Sequence, residues 1–377
     1  MSASKPVLLR LPSSDHGLGR NSRCHNIIHA FEETAVQSIS GRSIPKELSG
    51  EHLDLSPQGG LSPAEARREP RGVIAAFARH ETFHPRYGWI KKGFDAAERN
   101  PDVFVRDDAG VMLGVGKNMV RAIRYWCHAM KVLEQDPRAR DAGSVPTAFG
   151  RQLFGRTGFD PYMENLGSLW LLHWQLLAPP CTATAWHLAF NMFVRQEFTL
   201  DELNAALADY VAREFPTARL APSSLKKDVS CIARMYAEAP TTAAVGEDSI
   251  QCPFAELGLL RPTGPKTFAF NLGSKPGLTC WLVAAAALQF AARSDSNAST
   301  VSISTLLHAP GSPGLAFKLT EAALYAALEE AAGADSALAV TDAAGLIQLS
   351  FTEQPQSIAA RLVRRHFRTS RARRAFA

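Results

Sequence analysis

Three pieces of one segment decide the fold: "TLDELNAALADYVAREF" (199–215), "LKKDVSCIARMY" (225–236) and "ELGLLRPTGPKTFAFNL" (256–272). Thr199 and Glu202 have the spacing of a capping box, which predicts the start of the first helix. Ser223 or Ser224 is expected to cap the second helix. Two short apolar runs around a Pro/Gly turn then predict a hairpin. This order of helix, helix and hairpin indicates a winged helix-turn-helix unit.

The same order recurs near the C-terminus, in "VSISTLLHAP" (301–310), "LTEAALYAALEEAA" (319–332) and "ALAVTDAAGLIQLSF" (337–351), which turns between Asp342 and Gly345. The second helix of this unit carries glutamates and no base, which favours a packing or partner module. Between the two units, the apolar run 278–292 is shorter than the roughly 20 residues that a bilayer requires. We therefore predict a buried helix there. The predicted fold class is mainly α, a helical core with two winged helix-turn-helix-like units.

A basic helix is predicted within "LGVGKNMVRAIRYWCHAMKVL" (113–133). Its apolar residues step by three and four, the spacing of one buried helical face: Met119, Ile123, Trp126, Met130 and Leu133. Its basic residues have the same spacing and fall on the opposite face: Lys117, Arg121, Arg124, His128 and Lys131. That face contains no acid that could pair with the bases at i,i+4. We expect it to contact a polyanion, and a merely solvated face is the alternative.

The glycines at the start of this stretch do not form a nucleotide-binding P-loop. Val111 and Asn118 stand where that motif needs a glycine and a Ser or Thr that binds magnesium. Gly114 and Gly116 are expected to form a tight turn. Binding of a single anion at the start of the helix stays open as the second interpretation.

Candidate catalytic residues lie in "HETF" (80–83) and in "DPYMENLGSLWLLHWQLL" (160–177). A metal-dependent nickase needs carboxylates that converge on Mg²⁺ or Mn²⁺, and Glu81, Asp160 and Glu164 are candidates. Ordinary structural roles are the alternative, with Asp160 as an N-cap, Glu164 in the first helical turn, and Glu81 in a polar network. The apolar run 166–177 predicts a central buried helix.

Composition restricts the class of protein and its surroundings. The chain has 377 residues, 46% of them hydrophobic, so it can bury a large core divided over two or three domains. Its net charge is +5, and the last seventeen residues, "RLVRRHFRTSRARRAFA", contain seven arginines, so the basic character belongs to the tail. The six cysteines form no C-x-x-C pair, which indicates neither a zinc knuckle nor a disulfide framework. We expect a cytoplasmic protein with no membrane association.

The predicted organisation has five parts. They are a disordered extension (1–72), a helical core domain with the basic helix (73–190), a winged-helix-like domain (191–275), a buried helix with a second winged-helix-like domain (276–355), and an Arg-rich tail (356–377).

Several motifs together resemble a bacterial family catalogued as a domain of unknown function. They include "HETF" (80–83), "RYGWIKKGF" (86–94), "DPYMEN" (160–165), "SLWLLHW" (168–174), "CPFAELGLL" (252–260) and "SPGLAFKL" (312–319). The resemblance extends from about residue 73 to 351. Members of this family sit beside phosphoadenosine-phosphosulfate-reductase-like genes in defence islands, and the SspB component of DNA phosphorothioation systems looks like this family.

The resemblance implies a part in DNA sulfur modification and phage defence. Its partners would be double-stranded DNA and the sulfur-transfer (reductase-like) and ATPase proteins of the same system. We expect Lys117, Arg121, Arg124 and Lys131 to contact phosphates, with Lys226 and Lys227 at a DNA groove. Nicking of one strand is a possible activity. The alternatives are a non-catalytic adaptor that binds the reductase-like or ATPase partner through its winged helices, and a transcriptional regulator.

Overall fold

The computed structural model describes residues 72–137, 143–237, 252–343 and 345–375. The predicted N-terminal extension therefore lies outside the described residues, apart from Gly72. Thirteen α-helices occur in the described ranges: α1 (Trp89–Arg99), α2 (Ala109–Leu113), α3 (Lys117–Ala129), α4 (Ala148–Phe154), α5 (Leu166–Leu177), α6 (Thr184–His187), α7 (Leu200–Glu214), α8 (Pro222–Tyr236), α9 (Cys280–Ser294), α10 (Ile303–His308), α11 (Pro313–Phe317), α12 (Glu321–Ala332) and α13 (Pro355–Ala375). Helix α6 continues as a π-helical turn, Leu188–Met192, and a 3-10 turn spans Pro253–Leu257.

In the same described ranges, eight short strands form three small antiparallel sheets: β1 (Leu133–Gln135), β2 (Ser144–Pro146), β3 (Glu197–Thr199), β4 (Leu260–Pro262), β5 (Thr267–Phe270), β6 (Thr300–Ser302), β7 (Leu338–Ala343) and β8 (Leu346–Phe351). The strand orders are β1-β2, β3-β5-β4 and β6-β8-β7. The predicted mainly helical class is confirmed.

Helices α5 and α9 form the centre of the core, as their apolar composition predicts. Nearly every residue of α5 is buried, and α9 buries ten of its fifteen residues. Gln289 is the polar residue in the apolar run of α9, and its Oε1 accepts a hydrogen bond from Trp174 Nε1 at 2.6 Å. The oxygen of this half-buried amide is therefore satisfied by a tryptophan of the neighbouring core helix.

The first helix-helix-hairpin segment runs β3-α7-α8-β4-β5. Both hydrogen bonds of the predicted capping box, between Thr199 and Glu202, are present. Helix α8 begins earlier than predicted, with Pro222 at its first turn and Ala221 as N-cap, so neither Ser223 nor Ser224 caps it. The reason is that proline has the φ of a first helical turn and needs no N–H partner there.

The second segment runs β6-α10-α11-α12-β7-β8 and has the same sheet order as the first. Leu324, Leu328 and Ala331 place one face of α12 in the core. At the predicted hairpin turn, Asp342 Oδ1 accepts a hydrogen bond from the Gly345 amide at 2.9 Å. Gly345 has φ +81°, a conformation that glycine adopts without steric cost.

The segment predicted as an Arg-rich tail forms most of helix α13. Ile358, Leu362 and Phe367 are buried, and α13 packs along α9. Arg361 pairs with Asp335 and Glu353, and the Arg365 guanidinium lies 4.3 Å from the Trp281 ring centroid. An apolar stripe at helical spacing between the arginines thus holds this segment on the core.

Two buried and two half-buried imidazoles are expected to make the protein sensitive to mild acid. Burial lowers the pKa of His128, His173, His187 and His366 to about 4. A histidine in the unfolded chain takes up a proton near pH 6.5, so stability is complete above that pH and is lost as the pH falls towards 4. We expect a loss of about 2 kcal/mol between pH 7 and pH 5 for a fully buried imidazole such as His173. Urea unfolding at several pH values measures it, and a flat profile over this window would contradict the prediction.

Within the described residues, no helix is both long enough and apolar enough to cross a bilayer. The five cysteines that lie in the described ranges are all buried free thiols.

Candidate nucleic-acid interface

Helix α3 separates a buried face from a basic face, as predicted. Ile123 and Trp126 are fully buried, whereas Lys117 and Arg121 are exposed. Gly114 ends α2 with φ +62°, and Gly116 is the N-cap of α3. The glycines therefore form the predicted tight turn between two helices.

The basic residues near the end of α3 interact with the protein itself. Burial lowers the pKa of Arg124, which is half-buried. His128 Nε2 lies 2.9 Å from Ser144 Oγ. Lys131 follows the helix with φ +57°, and its ammonium group donates to the carbonyl of Gln175, near the end of α5. Lys117 and Arg121 are thus the residues of this face most accessible to a ligand.

The "HETF" segment forms a tight loop with unusual backbone geometry. Ala78, Glu81 and Thr82 all have positive φ, of 53°, 50° and 69°. Such conformations are costly for residues other than glycine, so surrounding contacts must hold them. We call residues 78–83 the HETF loop.

A buried carboxylate from α8 holds the HETF loop. Asp228 Oδ1 lies 2.7 Å from His80 Nε2 and accepts a hydrogen bond from the Ala78 amide at 2.8 Å. His80 and Asp228 are almost completely inaccessible to solvent. The His80 ring stacks on Trp126 of α3, with ring centroids 5.9 Å apart, and meets the Trp186 ring edge-on. The loop is therefore fixed to two helices at once.

Three further contacts from the HETF loop join α3 to α8. Trp126 Nε1 donates to the Phe83 carbonyl at 3.0 Å, and Arg121 Nη1 lies 3.4 Å from Glu81 Oε1. From α8, Arg234 Nη2 donates to the Thr82 carbonyl at 2.7 Å. The basic faces of the two helices consequently border the same loop.

We group five bases of these two helices under the name basic strip: Lys117, Arg121, Arg124, Lys227 and Arg234. Lys227 precedes Arg234 by seven residues, so both lie on one face of α8, about 10 Å apart along its axis. Lys226 is exposed beside Lys227. The pairing with His80 turns the carboxylate of Asp228 inward, away from the strip.

Asp160 does not cap helix α5, contrary to the sequence prediction. Asn165 is the N-cap, and its side chain accepts from the Gly167 amide at 2.8 Å. Asp160 instead organises the preceding loop, because its carboxylate accepts from the Glu164 and Asn165 amides and from Ser168 Oγ. Met163, with φ +55°, turns this loop, so the helix starts later than the Asp-Pro pair suggested.

A cavity of about 190 Å³ lies beside this loop and is lined by Asp160, Tyr162, Glu164, Asn165 and Arg371, among others. We call it the Asp160 cavity. Arg371 of α13 donates to the carbonyls of Gly158 and Phe159. Glu164 is exposed, whereas Asp160 is buried.

The three candidate catalytic carboxylates do not converge. Glu81 lies in the HETF loop against Arg121, whereas Asp160 and Glu164 line the Asp160 cavity. The described part of the chain has no group of three or more His, Cys, Asp or Glu arranged to hold a metal ion. Mg²⁺ usually keeps several waters and uses one or two carboxylates, so an ion bound by Asp160 and Glu164 would need waters for its other ligands.

Asp228 and Arg234 are the residues of this site that the sequence did not single out. Both lie in "LKKDVSCIARMY", where only the lysines were predicted to bind DNA. The spacing of Lys227 and Arg234 was a usable signal, since residues seven apart share a helical face. Nothing local indicated that Asp228 pairs with a histidine 148 positions earlier.

Comparison with known proteins gives a family and two solved structures. Residues 77–367 match the model of a family described as protein of unknown function (DUF4007). A magnesium-ion-bound SspB crystal structure is 40% identical, with a TM-score of 0.75, and the match covers 79% of this chain and 89% of that one. A second SspB crystal structure is also 40% identical, with a TM-score of 0.74, covering 78% and 89% of the two chains. No curated protein matches significantly.

Proposed function

The chain belongs to the DUF4007 family of proteins of unknown function, and from that premise we propose that it is a DNA-binding component of a phosphorothioation-type anti-phage defence system. The likeness to SspB at 40% identity supports the link to such a system. The sulfur-transfer (reductase-like) and ATPase proteins of the same system are its proposed protein partners. The basic strip is the observation that carries the DNA-binding part of the proposal.

Topology supports a winged helix-turn-helix interpretation of both helix-helix-hairpin segments. In each, the strand before the helices pairs with the last strand of the hairpin, giving the orders β3-β5-β4 and β6-β8-β7. Helix α8 is the second helix of the first unit, the position that commonly enters the major groove. Lys226 and Lys227 are exposed in the first turns of α8, where they would meet a groove or the phosphates beside it.

The basic strip suits the phosphate backbone because it combines two helices that are held at a fixed spacing. Side chains from α3 would contact one stretch of backbone while α8 contacts the groove next to it. Lys131 would then act indirectly, since its ammonium group binds the Gln175 carbonyl and helps hold α3 against α5.

Salt dependence is the direct test of this proposal. If the five residues of the basic strip neutralise about five phosphates, the logarithm of the association constant should fall by about 4.5 per tenfold rise in salt. Fluorescence anisotropy of a labelled 30-base-pair duplex between 50 and 200 mM NaCl measures this slope. A slope near zero would contradict a backbone-binding role.

Nicking is the second candidate function, and the Asp160 cavity is the observation that favours it. Glu164 presents an exposed carboxylate there, with Arg371 on the same cavity. A divalent ion held by Asp160 and Glu164 would supply Lewis-acid activation of a phosphate when bound. Glu81, the third candidate, does not line the Asp160 cavity. Its effect on nicking would be indirect, because its carboxylate contacts Arg121 of the basic strip.

The Glu164→Gln variant tests this second candidate. We expect Mg²⁺- or Mn²⁺-dependent relaxation of supercoiled plasmid by the wild type, a loss of at least about 100-fold in the variant, and unchanged duplex affinity, because a carboxylate that holds the metal contributes to the cleavage step. Glu98→Gln is a matched control, because Glu98 is exposed on α1 and does not line the Asp160 cavity. Equal relaxation by both variants would remove Glu164 from the chemistry.

A further inference from the structure

A groove of about 490 Å³ lies between the two helix-helix-hairpin segments. One wall is the segment 191–196 before β3, together with the end of β5. The other wall comes from α10, α11 and the start of α12. We call it the inter-unit groove. It is separate from the basic strip and from the Asp160 cavity, and the function proposed above does not use it.

The mouth of the inter-unit groove exposes large apolar side chains. Val194 is 95% exposed, Leu272 50% and Met192 41%. Further inside, Phe193, Leu315 and Leu319 add apolar lining. Single exposed apolar residues are ordinary, but three around one groove form the kind of patch that contacts another protein.

A buried lysine, Lys318, also lines the inter-unit groove. Lys318 is only 7% exposed, and its Nζ donates to the Phe190 carbonyl at 2.9 Å and lies 4.2 Å from the Phe270 ring centroid. Within the described ranges, no carboxylate oxygen lies within 4.0 Å of this Nζ. Burial lowers the pKa of Lys318 to about 7. The protein alone therefore compensates this charge incompletely.

Lys318 also has a strained backbone, with φ +54° at the C-cap of α11. Glycine or asparagine would adopt that conformation more easily, and methionine would fill the space without a charge. Among the described residues, the Phe190 carbonyl and the rings of Phe190 and Phe270 contact the ammonium group but supply no counter-ion, which a ligand would provide.

We propose that the inter-unit groove binds an extended segment of a partner protein whose apolar side chains flank a carboxylate that pairs with Lys318. A protein segment fits better than nucleic acid, because the mouth is apolar and the neighbouring Arg195 is already paired with Glu202. The partner is thus selected by an acidic residue beside apolar ones.

A random dodecapeptide library displayed on phage, selected against the full chain, tests the proposal. Peptides also retained by the Val194→Glu variant are removed, because a glutamate at the mouth repels an acidic segment. We expect the remaining peptides to share Asp or Glu next to Leu, Ile, Phe or Met. For a synthetic peptide of that set, Lys318→Met in the protein, or Glu→Gln in the peptide, should weaken binding by about 30-fold.

Two controls separate groove binding from misfolding and from DNA binding. Val111→Glu makes the same substitution at a valine that is 87% exposed and does not line the groove, so peptide binding should persist. Both Val194→Glu and Lys318→Met should retain wild-type duplex affinity. If Lys318→Met does not fold, two comparisons still test groove binding. One compares Val194→Glu with Val111→Glu in the protein, and the other compares the Glu→Gln peptide with the original peptide.

Three results would overturn the proposal. The first is that no peptide binds the wild-type chain in preference to the Val194→Glu variant. The second is that the selected peptides lack an acidic residue. The third is a concentration-dependent dimer in sedimentation that Val194→Glu abolishes, because the groove would then bind a second copy of this chain.

Discussion

Replacing Asp228 by alanine is expected to lower the free energy of unfolding by about 3 kcal/mol, because two groups inside the protein lose their hydrogen-bond partner. Asp228 Oδ1 is within hydrogen-bonding distance of both His80 Nε2 and the Ala78 amide. Removing the carboxylate leaves the buried His80 ring and the half-buried Ala78 amide without that partner, and the positive φ angles of the HETF loop lose their support. Urea unfolding followed by far-UV circular dichroism measures the change.

Two other variants make the Asp228 result specific. Asp209→Ala changes an exposed aspartate of α7 and should alter stability by less than about 0.5 kcal/mol. Asp228→Asn keeps an oxygen acceptor but removes the charge, so its effect should be intermediate. If Asp228→Ala proved as mild as Asp209→Ala, the pair with His80 would not hold the HETF loop.

The sequence predicted those elements whose signals are local. The capping box at Thr199, the two faces of α3 and the buried helix α9 all follow from spacing within one segment, and each is present in the structure. Asp342 and Gly345 likewise predicted a turn, because aspartate can accept a hydrogen bond from a nearby backbone amide and glycine tolerates positive φ. Elements of this kind can be predicted because their stabilising partners lie within a few residues.

The HETF loop could not be predicted, because its partners come from distant parts of the chain. His80 reads locally as a polar residue in an irregular stretch, and only the fold brings Asp228 against it. Helix α13 was missed for a different reason. Its arginines dominate the composition and conceal the buried stripe of Ile358, Leu362 and Phe367.

Asp160 illustrates a third limit, where two local signals compete. An Asp-Pro pair commonly starts a helix, yet Asn165 also has a side chain suited to an N-cap. The structure uses Asn165, and Asp160 accepts amide hydrogen bonds from the loop between them. Sequence alone gave no way to rank the two, because the choice depends on how α5 packs against the core.

Reversing three charges of the basic strip, in Lys117→Glu/Arg121→Glu/Lys227→Glu, is expected to have the largest effect on function. All three side chains are exposed, so the protein should fold normally. Losing three phosphate contacts should make the salt slope shallower by about 2.7 and weaken duplex binding by about 500-fold at 0.1 M salt. Fluorescence anisotropy with the same 30-base-pair duplex measures both quantities.

The matched control is Arg156→Glu/Arg364→Glu/Arg368→Glu, which changes the net charge equally at exposed residues outside the basic strip. It includes two arginines of α13, the helix that carries the excess positive charge of the chain. If DNA responds only to total charge, or mainly to α13, the control should weaken binding as much as the strip variant does. A loss confined to the strip variant would assign the DNA contact to the exposed bases of α3 and α8, the two helices that contact the HETF loop.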